Sequence, residues 1–315
     1  MPGSPLVTGA TGFAGSHLVD HLLEEEGQVA AWAHVRDREP RLAADSRIVW
    51  DSIDLLDRQA VARAIANVQP SVIYHCAGIA HVGESWSKPL LALRVNVLGT
   101  HHVLEGVRDA GLRCPVLVTG SALVYRPSTD LLREDAPIGP SDPYGVSKLA
   151  QEMLAGRQRQ GPVFIVRPFN HVGPRQSPTY VTSSFARQIA EIETGLREPV
   201  LRVGNLGAQR DITDVRDTVR AYQLVVTRGS PGRPYNVCSG QAYRVSDLLD
   251  WLIARSRIPI RVEVDPDRLR PSDNPIIAGD RSRITLETGW EPTIPIQQTL
   301  GDLLEYWRAQ TARQS

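Results

Sequence analysis

The sequence predicts an α/β protein, a doubly wound parallel sheet followed by a smaller carboxyl-terminal lobe. Two observations carry that prediction. Short apolar runs at residues 5–8, 29–34, 71–76, 116–119 and 163–167 have the near-continuous hydrophobicity of strands covered on both faces. The segments between them carry apolar residues at helical spacing, and alternation of this length folds through right-handed crossovers into a parallel sheet. In such a sheet, ligands bind beyond the carboxyl ends of the strands, at the point where the strand order reverses.

Each element has its own signal. Residues 16–26 place Leu18, Val19, Leu22 and Leu23 on one helical face and stop at Gly27, which suits the left-handed end of a helix. Residues 57–66 read the same way. After about Pro168 the chain changes character: Pro and Gly become more frequent, irregular stretches such as 264–278 lengthen, and helices are expected over 183–194, 246–256 and 296–308. The chain therefore divides into residues 1–170, with a later return near 210–240, and a lobe built mainly from 171–315. Residues 310–315 read as a frayed tail.

Composition removes several function classes. The 315 residues hold 35 Lys and Arg against 35 Asp and Glu, so the formal net charge is zero, and the basic excess that a nucleic-acid binder needs to neutralise phosphates is missing. Cys76, Cys114 and Cys238 are too few and too scattered for a disulfide framework or a metal box, and no CxxC occurs. No apolar run approaches the roughly 20 residues of a membrane helix. The amino terminus enters a core strand without the pattern of a secretory signal, so the cytoplasm is the expected compartment.

The first chemical signal is the run GATGFAG at residues 9–15, directly after the first strand and opening the first helix. Glycines at this spacing let the chain turn sharply, let a pyrophosphate approach the backbone and let helix pack on sheet, three tasks a Cβ would obstruct. The helix amino terminus then offers unpaired N–H groups and a partial positive charge to the phosphates. Gly9, Thr11, Gly12, Phe13, Ala14 and Gly15 are thus candidate dinucleotide contacts of a Rossmann domain. Cofactor choice turns on the end of the second strand, His34-Val35-Arg36-Asp37-Arg38. Arg36 and Arg38 favour the 2′-phosphate of NADP(H), while Asp37 between them keeps NAD(H) possible. Asp54 and Leu55 suit adenine recognition, although Asp54 would serve equally as a helix cap.

The second signal is YGVSK at 144–148. Tyr144 and Lys148 lie four apart at the start of a predicted helix and share one face. A phenol is a weak acid, and a nearby cation stabilises its phenolate, bringing it closer to the pH at which it exchanges a proton with an alcohol or ketone. Ser121, at the end of the preceding apolar strand, would orient that carbonyl or cap a turn.

Together GATGFAG, the CAG of residues 76–78, the NVLGT of residues 96–100, Ser121 and YGVSK resemble the extended short-chain dehydrogenase/reductase family acting on nucleotide sugars, over nearly the whole chain. RPFNHVGP at 167–174, RDITDVRD at 210–217, YNVCSG at 235–240 and DPDRLRP at 265–271 narrow the resemblance to its GDP-mannose 4,6-dehydratase and GDP-6-deoxy-mannose reductase branch, the reductases most. The resemblance implies that Ala77 and Gly78 line the cofactor, that the carboxyl lobe holds the GDP end of a GDP-linked sugar, and that Asn170, Arg210 and Arg270 contact sugar or diphosphate. It places Ser85 on a substrate-facing loop. It also implies a homodimer through the Tyr144 helix and the helix around 96–108.

Position 123 separates the activities within that resemblance. Dehydratases of the family carry a Glu there for elimination, and the epimerase-reductase that makes GDP-fucose carries a Cys; this chain has Leu123, which can neither accept nor give a proton. Hydride transfer to the C4 ketone of a GDP-4-keto-6-deoxyhexose is the expected reaction, GDP-4-keto-6-deoxy-mannose the expected substrate, and the rhamnose or talose epimer the product. The alternatives are a 4-epimerase with tightly bound NAD, a GDP-mannose 4,6-dehydratase, and a non-catalytic dinucleotide sensor. Arg126, where the family has a glycine, either adds a phosphate contact or reshapes a loop.

Overall fold

In the computed structural model, which describes residues 3–35, 45–158, 161–269 and 274–313, the chain begins with strand β1 (Leu6–Thr8) and helix α1 (Phe13–Glu26). Then come β2 (Val29–Ala33), β3 (Ile48–Ser52), α2 (Arg58–Val68), β4 (Ile73–His75), α3 (Val82–Ser87) and α4 (Pro89–Leu93). A π-helical turn at Arg94–Leu98 leads into α5 (Gly99–Asp109), followed by β5 (Val116–Thr119), a 3-10 turn at Ala122–Val124, α6 (Pro143–Ala155) and β6 (Val163–Pro168). The remaining elements are β7 (Asn170–Val172), α7 (Val181–Glu193), β8 (Val200–Val203), β9 (Gln209–Asp214), α8 (Val215–Arg228), β10 (Pro234–Val237), β11 (Ala242–Arg244), α9 (Val245–Ile253), β12 (Arg261–Val264), β13 (Ile276–Ile277), α10 (Ser282–Thr288) and α11 (Ile296–Thr311).

Seven strands form one sheet in the order β10-β6-β5-β4-β1-β2-β3, and every neighbouring pair is parallel. The expected doubly wound sheet is present. It gains β3, because Ile48 and Val49 continue the register of Val29 and Ala30 although only Ile48 of this strand is buried. The order reverses between β1 and β4, so the glycine run sits at the switch point. Apolar residues of α1 and α8 cover one face of the sheet, and those of α2 and α5 cover the other.

Local chemistry explains the boundaries. Gly27 ends α1 with φ +77°, the left-handed terminator expected of it. Asp57 caps α2 by accepting from the Ala60 N–H at 2.9 Å, while Asp54 instead bonds the Leu56 N–H at 2.9 Å in the turn before. A separate core gathers α7, α9 and α11 around Phe185, Leu201, Leu248 and Leu303. Beside it, β9 pairs with β7, β11 and β13 in a second small sheet. Among the described residues no helix is long and apolar enough to cross a membrane.

Candidate active site

The turn after β1 is closed at distances only glycine permits. Gly9 has φ +66°, and a Cβ there would lie 2.7 Å from the Cα of Ala77; a Cβ on Gly15 would lie 2.1 Å from the Gly9 carbonyl oxygen. Gly12 is the extended cap residue of α1, and no side chain caps that end. The loop opens on a cavity of about 880 Å³ lined by Gly9, Thr11, Gly12 and Phe13, by Ala33 and His34 at the end of β2, by Asp54 and Leu55 after β3, and by Ala77 and Gly78 after β4. Eight of the predicted cofactor residues therefore share one cavity. Ala14 and Gly15 do not line it; they pack α1 against the turn. Arg36 lies outside the described residues. A cradle that a Cβ would fill, an uncapped helix start and a cavity of this size fit a dinucleotide.

Past Gly78 stands the candidate catalytic group. Asp142 starts α6 by accepting from the Gly145 N–H at 2.8 Å, with Pro143 in the first turn where its missing N–H costs nothing. Tyr144 and Lys148 then project from one face, with the Lys148 Nζ 5.9 Å from the phenol ring centre. A Cβ at Gly78 would sit 3.5 Å from that Nζ, which puts the ammonium at the cavity edge. Gly145 lets α6 rest on the turn after β5, since a Cβ there would meet the Leu123 carbonyl oxygen at 2.4 Å. Ser121 caps that turn, accepting from the Leu123 N–H at 3.1 Å, and hydrogen-bonds Tyr144. Tyr144, Lys148 and Ser121 are brought together.

Electrostatics in the site differ from the expectation for the phenol. Burial pushes the Tyr144 pKa above its ordinary value, and the hydrogen bond with Ser121 only partly opposes this. Burial likewise lowers Lys148 to about 8. The lysine does not bring the phenol down here, because both groups are stripped of water and desolvation outweighs an attraction across 5.9 Å. A phenol held protonated is a proton donor at neutral pH, which suits reduction of a ketone.

A buried network fixes the turn that Ser121 caps. Arg167 on β6 forms a two-pronged ion pair with Glu152 of α6 and donates to the Tyr125 hydroxyl at 2.8 Å, which donates to Asn236 Oδ1 at 2.7 Å. Breaking such a buried pair by removing one partner costs about 3–5 kcal/mol, so the segment 121–125 is held firmly against α6.

The predicted substrate residues are scattered by comparison. Asn170 is exposed on β7, opposite Ile212 of β9. Arg210 lies on β9, its guanidinium folded onto the carbonyls of Gln209 at 2.7 Å and Pro275 at 3.3 Å. Arg270 lies outside the described residues. Ser85 requires a correction: it stands in α3 rather than on a loop, fully buried, and its hydroxyl donates to the Val82 carbonyl at 2.7 Å. His81 caps that helix through its ring nitrogen, which turns 82–87 helical. Arg126 is exposed, and its N–H donates to Pro137 O at 2.9 Å, pinning the loop after the turn.

Further residues shape the site. Asn96, in the π-helical turn, clamps Ile79 through both backbone groups and donates to Ser147. Arg175 lines the cavity with φ +74°, a left-handed conformation a non-glycine residue adopts at a cost, and bonds His17 and Asp20 of α1. No spacing rule links residue 175 to α1; a polar pair 158 residues apart in the chain is visible only in the fold.

With the geometry in place, comparison with known proteins decides the family. The family model described as GDP-mannose 4,6 dehydratase matches residues 6–303. The chain belongs to that family. GDP-6-deoxy-D-mannose reductase of Pseudomonas aeruginosa is 32% identical over 309 residues, covering 96% of each chain. GDP-mannose 4,6-dehydratase of Vibrio cholerae serotype O1 is 28% identical over 95% of this chain and 92% of its own. Among solved structures, RMD from Pseudomonas aeruginosa complexed with NADPH superposes with TM-score 0.84 at 30% identity, over 98% of this chain and 99% of that one. This member of the family is therefore an enzyme of the nucleotide-sugar short-chain dehydrogenases, as its motifs imply.

Proposed function

We propose that the enzyme reduces the C4 ketone of GDP-4-keto-6-deoxy-D-mannose, with NADPH favoured over NADH. The observation that carries this reading is Leu123. It sits in the turn capped by Ser121 and directly beneath α6, where a second acid or base would have to stand to eliminate water from the hexose. Its side chain moves no proton. The NADPH complex of the Pseudomonas aeruginosa relative supports the cofactor, as do Arg36 and Arg38 in the sequence.

A bound reduced nicotinamide supplies the hydride. Tyr144, kept protonated by burial, gives its proton to O4; Ser121 shares the phenol's hydrogen bonding and aligns the ketone oxygen; Lys148 stabilises the phenolate that remains. Gly9, Thr11, Gly12, Phe13, Asp54, Leu55, Ala77 and Gly78 hold the dinucleotide, and Asn170, Arg210 and Arg270 hold the GDP-sugar. Residues 1–170 with the return near 210–240 make the cofactor unit, and 171–315 mainly the sugar-nucleotide lobe. Exposed Leu90, Val146 and Met153 on α4 and α6, with Leu98 between, give a homodimer an apolar face. Three free thiols suit the reducing cytoplasm.

The test is to supply GDP-4-keto-6-deoxy-D-mannose with NADPH or NADH, follow loss of the reduced cofactor and identify the product by NMR. Oxidation of NADPH with formation of a GDP-6-deoxyhexose is expected, and Tyr144→Phe should lower kcat/KM by about 10²–10⁴-fold. Conversion of a nucleotide sugar without cofactor consumption, with NAD retained on the protein, would instead establish an epimerase.

A further inference from the structure

We propose that Gln151 is a positioning residue for Lys148, holding its ammonium against the Thr119 carbonyl and tying it through a buried polar chain to the strand that precedes the glycine loop. The proposal rests on the reading of Tyr144 and Lys148 as the catalytic pair. Lys148 Nζ donates to Thr119 O at 2.8 Å and to Gln151 Oε1 at 3.0 Å, and Gln151 is fully buried. The lysine contact fixes the amide, because the opposite orientation would set an NH2 against an ammonium. Gln151 Nε2 therefore donates onward to Thr100 Oγ1 at 2.8 Å.

The rest of the chain follows from donor and acceptor counting. The Thr100 hydroxyl spends its proton on Asn96 O at 2.6 Å, so His75 must be the donor where its Nε2 meets Thr100 Oγ1 at 2.9 Å. His75 Nδ1 is then the acceptor, and Thr8, at 2.8 Å, donates to it. Thr8 Oγ1 in turn accepts from the Ala77 N–H at 3.3 Å. Each link has one assignment, and the chain runs from the end of β4, beside the cavity, to the ammonium. Two of the three Lys148 donors are consumed, which leaves one.

The titratable groups acting on Lys148 are the Cys76 thiol and the His75 imidazole from the β4 end and Tyr144 on its own helix. None is a carboxylate, and Glu152, next along α6, is committed to Arg167. The amide oxygen of Gln151 is thus one of two acceptors that keep a buried ammonium charged. Burial, which lowers Lys148 to about 8, makes the loss of either one felt within the working pH range.

Gln151→Met and Gln151→Glu, both of similar size to glutamine, pull in opposite directions. Methionine removes an acceptor from the ammonium and should lower the Lys148 pKa, moving the alkaline limb of the kcat–pH profile down by about one unit; glutamate should move it up by about as much. kcat of Gln151→Met at pH 7 should fall about twofold and by about tenfold above pH 8, where most of the charge is lost, while NADPH affinity, followed by fluorescence, changes far less. A packing defect would not shift the two limbs in opposite senses. Limbs that stay in place in both variants, or move the same way, overturn the proposal while loss of activity in Tyr144→Phe leaves the catalytic reading standing. Full turnover by Tyr144→Phe overturns both. Should Gln151→Met fail to fold, the limb of Gln151→Glu decides alone.

Discussion

The glycine turn after β1 and the Arg210 region of the second small sheet, the two places where the proposed function seats the anionic groups of its nucleotides, are built differently. In the turn, the geometry is set by the seven consecutive residues Gly9 to Gly15, packed on one another and, at Gly9, on Ala77 after β4, through contacts only a missing Cβ allows. Around Arg210, it is set by the next residue, Asp211, whose buried carboxylate gathers chain from two distant places, the Ser239–Gly240 turn and Gly279. The first site depends on local sterics and the second on long-range hydrogen bonds. Their failures should differ accordingly.

The largest expected effect lies in the turn. Gly15→Ala would place a Cβ 2.1 Å from the Gly9 carbonyl oxygen, and a backbone atom cannot step aside as a flexible side chain does. α1 must back away from the turn. Losing two backbone N–H contacts to phosphate, each worth about 1.5 kcal/mol or more, weakens NADPH binding by roughly a hundredfold. Fluorescence titration measures this directly. An unchanged NADPH affinity would mean that the close packing of α1 on the turn is not what shapes the cofactor site.

The same contrast explains what the sequence disclosed. Short apolar runs, Gly27 as a helix end and the four-residue spacing of Tyr144 and Lys148 are rules over a few residues, so the sheet, α1 and the Tyr144–Lys148 face were all readable. Ser85 misled because a loop was inferred from likeness, while the helix cap supplied by His81 is a local detail of this chain. Asp211, Gln151 and the His17–Arg175 pair were invisible for another reason. Each earns its place from partners brought near by the fold, and a lone Asp, Gln or His in a sequence carries no mark of burial.

A prediction of intermediate size concerns the seam between the two regions. His17 on α1 donates its Nε2–H to Pro174 O at 2.9 Å and accepts from Arg175 at Nδ1, so burial and the adjacent guanidinium lower its pKa to about 4. Burial, with Lys148 nearby, holds His75 at about 3. Both are depressed below the unfolded value near 6.5, so the native state takes up fewer protons than the unfolded chain. Stability is complete above about pH 6.5 and is lost as the pH falls toward the folded values, at up to about 1.4 kcal/mol per pH unit for each histidine. Urea midpoints measured from pH 7.5 to 5 should therefore fall, and His17→Gln should remove that residue's own share of the slope, His75 and the likewise buried His171 supplying the rest. A slope unaffected by His17→Gln would show that the seam does not depend on a neutral imidazole.

The smallest effect, and the one that best separates the two designs, belongs to Asp211. Its Oδ1 accepts from the Ser239 N–H and hydroxyl, both at 2.7 Å, and its Oδ2 accepts from the N–H groups of Gly240 at 2.9 Å and Gly279 at 3.2 Å. Both oxygens are thus saturated by donors, and Asp211→Asn must turn an NH2 against one pair. Burial raises the carboxyl pKa while the four hydrogen bonds pull it down, so the charged form is tolerated only because the donors are there. Losing one pair should cost about 2 kcal/mol, far less than unfolding the lobe, because the core of α7, α9 and α11 does not include this residue. The turn at Gly240, whose φ of +81° depends on that carboxylate for its anchor, loosens instead, and with it the strand pairing that seats Arg210 against β11. KM for the GDP-sugar should rise by roughly tenfold, following the approximately 1.4 kcal/mol per decade of binding, while NADPH affinity and the pH profile of turnover stay as in the parent. A fall in NADPH affinity equal to the rise in KM would mean that the two nucleotide sites are coupled through the backbone and that the division between a locally built and a distantly built site is wrong.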